Sequence, residues 1–234
     1  MPSPTARTRV RRNPKRGVYD RAVIDEILDT APICHLGFTG ADGQPFVLPT
    51  LHARVGDELL LHGSAAGRAM RTLAAGAPLC VTVTHVDGLV LARSAFHHSM
   101  NYRSVVLLGT ARLVESAEEK ERALEAFTEK LLPGRWAEVR WPTAQELKGT
   151  KVLALPIDEA SAKIRTGHPI DDDEDYALDA WAGVIPLGLV AGTPVPDPKM
   201  RPGTPESVAL RTYTAPDGAA ARDRDDGRAA DGLR

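Results

Sequence analysis

Residues 59–71 read Leu59-Leu60-Leu61-His62-Gly63-Ser64-Ala65-Ala66-Gly67-Arg68-Ala69-Met70-Arg71. The leucine run predicts a buried strand. It ends at His62, and small residues then turn the chain into a helix. Gly63 offers the turn backbone angles closed to other residues. Ser64 offers an N-cap hydroxyl. Arg68 and Arg71 stand three apart, so they share one helix face. A helix N-terminus presents unpaired N–H groups and the positive end of a dipole, which together favour phosphate. The stretch therefore suits the phosphate of a nucleotide-like cofactor, although strand–turn–helix joints of this composition are common without one.

Upstream of this stretch, Val23, Ile24, Ile27 and Leu28 recur at helical spacing from Asp20, and Pro32 ends that helix. Ile33 to Thr39 reads as a strand, and Gly40-Ala41-Asp42-Gly43 as a hairpin turn. Phe46 to Val55 is a second strand. Pro49 within it implies an edge, a bulge or a close approach to the backbone. Gly56-Asp57 turns the chain into Glu58 to Leu61.

Downstream, Leu79 to Thr84 alternates like a half-buried strand. Asp87-Gly88 turns it into Leu89 to Ala95. A polar stretch, Phe96 to Ser104, precedes the strand Val105 to Val114. Six strands in quick succession, joined by short turns, argue for a meander or barrel rather than a parallel sheet. Ser116-Ala117-Glu118-Glu119 forms a capping box. Leu124, Phe127 and Leu131 mark the buried stripe of the helix it opens, and Pro133-Gly134 stop it. Thr143 to Leu147 is one more helical turn, Lys151 to Ile157 a seventh strand, and Ser161 to Arg165 its continuation.

Bulk properties narrow the partners. The chain has 234 residues, 43% of them hydrophobic and 26% charged, which fits a soluble globular protein. A net charge of −2 gives no field for nucleic acid or a membrane surface. Residues 1–21 hold seven basic side chains against Asp20. No aromatic platform accompanies them, so they read as an extension rather than a nucleic-acid arm. The two cysteines, Cys34 and Cys80, lie in apolar runs and read as core residues in a reducing cytoplasm. No apolar run approaches the ~20 residues of a membrane helix. The acidic run 171–175 reads as a solvated loop. Five prolines between Pro194 and Pro205 indicate an extended segment. Of the seven histidines, none pairs at a metal-ligand spacing, so no metal site is expected. Ser94, His98 and Ser99 lack a nucleophile elbow and do not support a hydrolase.

Three groups of motifs occur in order: Gly43-Gln44-Pro45 through Pro49-Thr50, His62-Gly63-Ser64 through Arg68, and Asn101-Tyr102-Arg103-Ser104-Val105-Val106 through Gly109-Thr110-Ala111. Together, across about residues 16–190, they resemble the FMN-binding split-barrel family that contains the pyridoxamine 5′-phosphate oxidases. The nearer likeness is to its flavin-nucleotide-binding, nitroimidazole-resistance-like branch.

The resemblance implies a mainly β (α+β) fold, a six- to seven-stranded antiparallel split barrel with flanking helices. It implies a homodimer with FMN at the subunit seam. Along the chain it implies the barrel over 20–165 followed by a packed C-terminal extension over 166–212, while charge and composition mark a basic arm over 1–19 and a disordered tail over 213–234. By position, Leu48, Pro49 and Thr50 would run beside the isoalloxazine ring. His62, Gly63 and Ser64 would line the ring and ribityl-phosphate side, and Arg68 would pair with the phosphate. Ser104 would place a polar side chain on the flavin, and Arg103 would reach phosphate or the other subunit. His62, His98 and Trp181 are the candidates for the substrate side. The family's C-terminal substrate motif is missing: Arg165-Thr166-Gly167-His168 does not match it, so the vitamin substrate is not implied. The expected function is FMN-dependent oxidation or reduction of a small organic substrate, a nitro compound among the candidates. The alternative is a flavin- or haem-binding carrier or sensor without turnover. Related split barrels bind haem, and His97 or His98 could ligate its iron. No nucleic acid and no membrane partner is expected.

Overall fold

The computed structural model describes residues 4–211 and Tyr213. The expected disordered tail, apart from Tyr213, lies outside them. Two antiparallel sheets make up the body. The first runs β1 (Gly17–Val18), β10 (Glu159–Arg165), β7 (Ser99–Gly109), β6 (Leu79–Leu91), β2 (Cys34–Thr39), β3 (Pro45–Thr50), with β11 (Gly183–Pro186) also paired to β6. The second runs β4 (His52–Val55), β5 (Glu58–Ser64), β9 (Thr150–Pro156), β8 (Arg112–Val114). Neither sheet closes on itself, which is the split-barrel arrangement. Five helices flank them: α1 (Arg21–Thr30), α2 (Arg68–Ala74), α3 (Ala117–Leu131), α4 (Ala144–Gly149) and α5 (Val208–Arg211).

The leucine run explains how the layers stack. Side chains on a strand alternate between faces. Leu59 and Leu61 enter the main core with Leu36, Val81, Val105, Leu107 and the α1 residues Ile24, Ile27 and Leu28. Leu60 points the other way, into a second cluster with Val152, Ala154 and the α3 residues Ala123 and Phe127. A strand covered on both faces has no place for a polar residue, so the run is continuously apolar. Asp20 starts α1 by accepting from the backbone N–H groups of Ala22 and Val23. Ser116 starts α3 by accepting from Glu119 N–H, but the Glu119 carboxylate goes to Arg112 rather than back to the cap. The complete capping box lies at Thr143 and Glu146, on α4.

The expected strands are regrouped. Phe46 to Val55 divides at Leu51 into β3 and β4, which belong to different sheets. Pro49 is tolerated because β3 is an edge strand. Val105 to Val114 likewise divides, and β7 starts back at Ser99, so the polar stretch is partly strand. Asp87-Gly88 is no hairpin. It is a bulge within the single strand β6, with the register to β7 shifting between Val86 and Gly88. One edge of β6 is shared, with β2 pairing at Leu79 to Thr82 and β11 at Gly88 to Leu91.

The N-terminal extension is packed down: Val10 N–H donates to Tyr19 Oη at 2.8 Å, and Arg7 pairs with Glu159. The acidic run is not wholly solvated. Asp171 is buried and accepts from the backbone N–H groups of Arg93 and Ser94 and from Arg93 Nη1. Cys34 and Cys80 are unpaired, and burial pushes the Cys34 thiol up to about 12. Among the described residues no helix is long and apolar enough to cross a membrane.

Candidate functional site

The joint between β5 and α2 differs in detail from its sequence reading. Gly63 does not adopt a positive φ. It is needed because a Cβ there would stand 3.0 Å from Met70 Cγ. Ser64 is not the N-cap of α2; Gly67 is. The Ser64 hydroxyl accepts from Ala66 N–H at 3.3 Å, and its carbonyl accepts from Gly67 N–H at 2.8 Å. Ser64 thus shapes the turn before the helix rather than capping it.

Arg68 opens α2, and its guanidinium lies 5.0 Å from the centre of the Phe46 ring. Phe46 stacks in turn on Phe38 at 5.3 Å. This stack ties α2 to the edge strand that carries Leu48, Pro49 and Thr50. Arg68 is exposed and has no carboxylate partner among the described residues. Leu48 is 41% exposed, and the three β3 residues pair with Leu36, His35 and Cys34.

Leu51, the residue after Thr50, borders a depression of about 370 Å³ that also holds His62. Its walls are mainly apolar: Leu124, Phe127, Leu131, Trp136, Val139 and Pro142. The His62 ring lies 4.2 Å from that of Phe127. His62 Nδ1 is enclosed without a hydrogen-bond partner, a state that costs about 1–3 kcal/mol. Nε2 has neither a partner nor a complete enclosure. Burial lowers the pKa of the ring, so the imidazole is neutral. The other polar groups of the wall are engaged. The Thr128 hydroxyl donates to Leu124 O at 2.9 Å, and Arg140 forms paired hydrogen bonds of 2.8 Å with Glu146.

Arg103 and Ser104 lie elsewhere, on β7. Arg103 is bound bidentately to Asp87, with Nε to Oδ2 at 3.1 Å and Nη2 to Oδ1 at 2.9 Å. The Ser104 hydroxyl donates to Lys163 O at 3.2 Å. Arg103 borders a groove of about 640 Å³ with His35, Thr84, His85, Asp87 and Leu187 to Leu189. Within one chain, then, these site candidates divide between two hollows: one at the β3–β4 joint with His62, the other formed by β2, β6 and β7.

His98 and Trp181 flank the far end of β6 and join neither hollow. His98 Nδ1 is 2.9 Å from Ser94 O, and Trp181 packs its ring on Gly183 while remaining 69% exposed. His97 Nε2 stands 3.2 Å from Asp172 Oδ2, and with Asp175 the three potential ligand atoms lie within 4.8 Å of one another. His97 and His98 line neither of the two hollows described above.

Several groove residues had no signal in the sequence. Asp87 was hidden by its Asp-Gly dipeptide, which resembles a turn. Leu187 to Leu189 reach the groove only because β11 pairs with β6. His35 and Thr84 were accessible to pattern reading, as exposed residues on alternating strands.

Comparison with known proteins places this geometry among relatives. The sequence model of the family described as pyridoxamine 5′-phosphate oxidase matches residues 20–164. Among curated proteins none matches significantly. The flavocytochrome Anf3 from Azotobacter vinelandii is 42% identical, with a TM-score of 0.86, over 92% of this chain and 99% of that one. The FAD and haem binding protein from Mycobacterium smegmatis is also 42% identical, with a TM-score of 0.81, over 86% of this chain and 98% of that one. A candidate 5-nitroimidazole antibiotic resistance protein from Bacteroides thetaiotaomicron is 24% identical, with a TM-score of 0.53, over 63% and 86% respectively, and speaks to the fold alone.

Proposed function

Because this chain belongs to the pyridoxamine 5′-phosphate oxidase family, we propose that it is a flavin-dependent oxidoreductase that also binds haem and works as a homodimer. The observation that carries this reading is the 42% identity, over 92% and 86% of the chain, to one protein named a flavocytochrome and another named for FAD and haem. FMN follows from the family resemblance alone, whereas the second relative favours FAD. The two cofactors share the isoalloxazine ring and its 5′-phosphate, so the same residues serve either.

The residues present fit a flavin nucleotide. Arg68 is a planar cation with no counter-charge among the described residues, set over the Phe46 ring. It would neutralise the phosphate through a guanidinium fork. Leu48, Pro49 and Thr50 lie on the edge strand beside it and would line the ring. A bound flavin supplies the redox chemistry, while the protein supplies binding, orientation and water exclusion.

A homodimer resolves the division of the site. Arg103, Ser104, His98 and Trp181 do not meet the β3 edge within one chain, so a second copy would bring them there. The outer face of the first sheet supports this reading. Val47, Val86 and Val106 share that face and are 67%, 43% and 38% exposed. An apolar sheet face of this kind suits a subunit contact. The haem also has a fitting place, the apolar depression beside His62.

The test is the visible spectrum of the purified full chain, followed by extraction of its cofactors. Flavin bands with a Soret band, and bleaching by NAD(P)H that reverses in air, are expected. A colourless protein that takes up neither added flavin nor hemin overturns the reading. Flavin bands that ignore reductant and small electron acceptors would favour a carrier or sensor.

A further inference from the structure

We propose that His62 ligates the haem iron through Nε2. This rests on the haem reading above and names the residue that would hold the group. A neutral imidazole nitrogen is a common protein ligand of haem iron, and it must face a slot able to hold a flat apolar macrocycle. His62 meets both conditions. It stands in the depression walled by Leu51, Phe127, Leu131 and Trp136, and Trp136 is stacked on Trp141 at 6.0 Å.

Elimination within the wall gives the same residue. Thr128 offers only a neutral alcohol oxygen, a weak ligand for iron, and donates its proton to Leu124 O, while the Glu146 carboxylate is held by Arg140 and Thr143. The remaining polar groups, Arg140 and the Trp136 indole N–H, are donors without a usable lone pair. His62 is therefore the uncommitted lone-pair donor of the depression. The Phe127 ring lies tilted against the His62 ring at 4.2 Å. Burial of the ring keeps it unprotonated, so no proton competes with iron.

Four of the other six histidines are already engaged; His35, at the larger groove, and exposed His168 are not, so His35→Ala and His168→Ala join the variants below, and loss of the haem signature in either counts against His62. His52 is fully buried, with Nε2 at 2.8 Å from Leu28 O. His85 is buried, with Nε2 at 3.3 Å from Ile27 O. His97 and His98 are engaged with Asp172 and Ser94.

The experiment loads the full-length protein with hemin and compares wild type with His62→Ala, His62→Met, His35→Ala, His97→Ala, His98→Ala and His168→Ala. Absorption and electron paramagnetic resonance report the ligand, and extracted flavin reports the fold. His62→Ala should lose most of its haem, or lose the wild-type ligand signature, while keeping its flavin. Added imidazole should restore the signature, and His62→Met should shift it to that of a thioether ligand. The His35→Ala, His97→Ala, His98→Ala and His168→Ala variants should match wild type in haem content and ligand signature. A wild-type haem content and signature in both His62 variants overturns the assignment while the haem reading stands, as does loss of the signature in His35→Ala, His97→Ala, His98→Ala or His168→Ala. A wild type that takes up no hemin overturns both. If His62→Ala loses flavin as well, His62→Met decides: an unchanged signature there counts against His62.

Discussion

Arg68 and Arg103 are both guanidinium groups of the expected site, yet they are committed differently. Arg103 already holds Asp87 bidentately. Arg68 rests on an aromatic ring with no carboxylate beside it. Removing Arg68 therefore leaves no internal charge stranded. Arg68→Ala is expected to weaken flavin binding by about 2–4 kcal/mol, since a phosphate would be left under-paired. Titration of the flavin-free protein measures this, and the melting temperature of that flavin-free variant should stay near wild type.

His52 is the contrasting case, a polar residue whose role is purely internal. It shares Leu28 O with Lys130, whose Nζ is 2.8 Å from that carbonyl and 3.0 Å from His52 Nε2. Both groups thereby satisfy the C-terminal end of α1. Burial, then the Lys130 charge, lowers the His52 pKa from 6.5 to about 4. Between those values the unfolded chain binds a proton that the folded chain does not. Stability should therefore fall as pH drops from about 6.5 to about 4. Melting temperatures across that range should show a shallower decline in His52→Asn than in wild type.

The long strand β6 organises the first sheet. It carries β7 along one edge and divides the other between β2 and β11. The bulge before Gly88 makes room for that division. A Cβ on Gly88 would stand 3.0 Å from Ile185 O and 3.0 Å from Val184 Cγ1, and the backbone oxygen cannot swing aside. Gly88→Ala is expected to cost about 1–3 kcal/mol, as overpacking does. Hydrogen exchange should show protection lost first in β11, and urea midpoints give the total. This element was also the least legible. Asp87-Gly88 between apolar runs is a strong local signal for a hairpin. Here β7 continues to pair across it, and that long-range ladder outweighs the local preference. Phe46 to Val55 misled for a similar reason: each half matches a strand, but the change of sheet at Leu51 depends on what packs on either side.

For the whole molecule, the exposed valines on the first sheet point to a covered face. If two copies pair through this face as proposed, Val106→Asp would place a charge in the middle of the contact, where an unpaired charge is costly. Light scattering after size exclusion should then show a monomer, and flavin content should fall with it if the site draws on two copies. A monomeric wild type with full flavin occupancy would count against the shared site. With a net charge of −2, the protein's field neither forbids nor drives the pairing of two copies, so shape and apolar area decide it.

Much of the architecture was available from local information. Alternation marked the strands, helical spacing marked α1 and α3, and the order of Pro49-Thr50, His62 to Arg68 and Asn101 to Ala111 marked the family. Arg68 could be named because a cation after a small-residue turn has a local signature. What the linear chain could not hold was partnership. That Asp87 takes Arg103, that Asp171 holds the Arg93 loop, that β11 lies on β6, and that His62 faces α3 rather than the β3 edge all follow from contacts between residues far apart in the chain. Secondary structure is governed by neighbours a few residues away, so it can be read along the chain. The commitment of a polar side chain depends on which distant lone pair or proton reaches it once the core has closed, and that is settled only in the folded molecule.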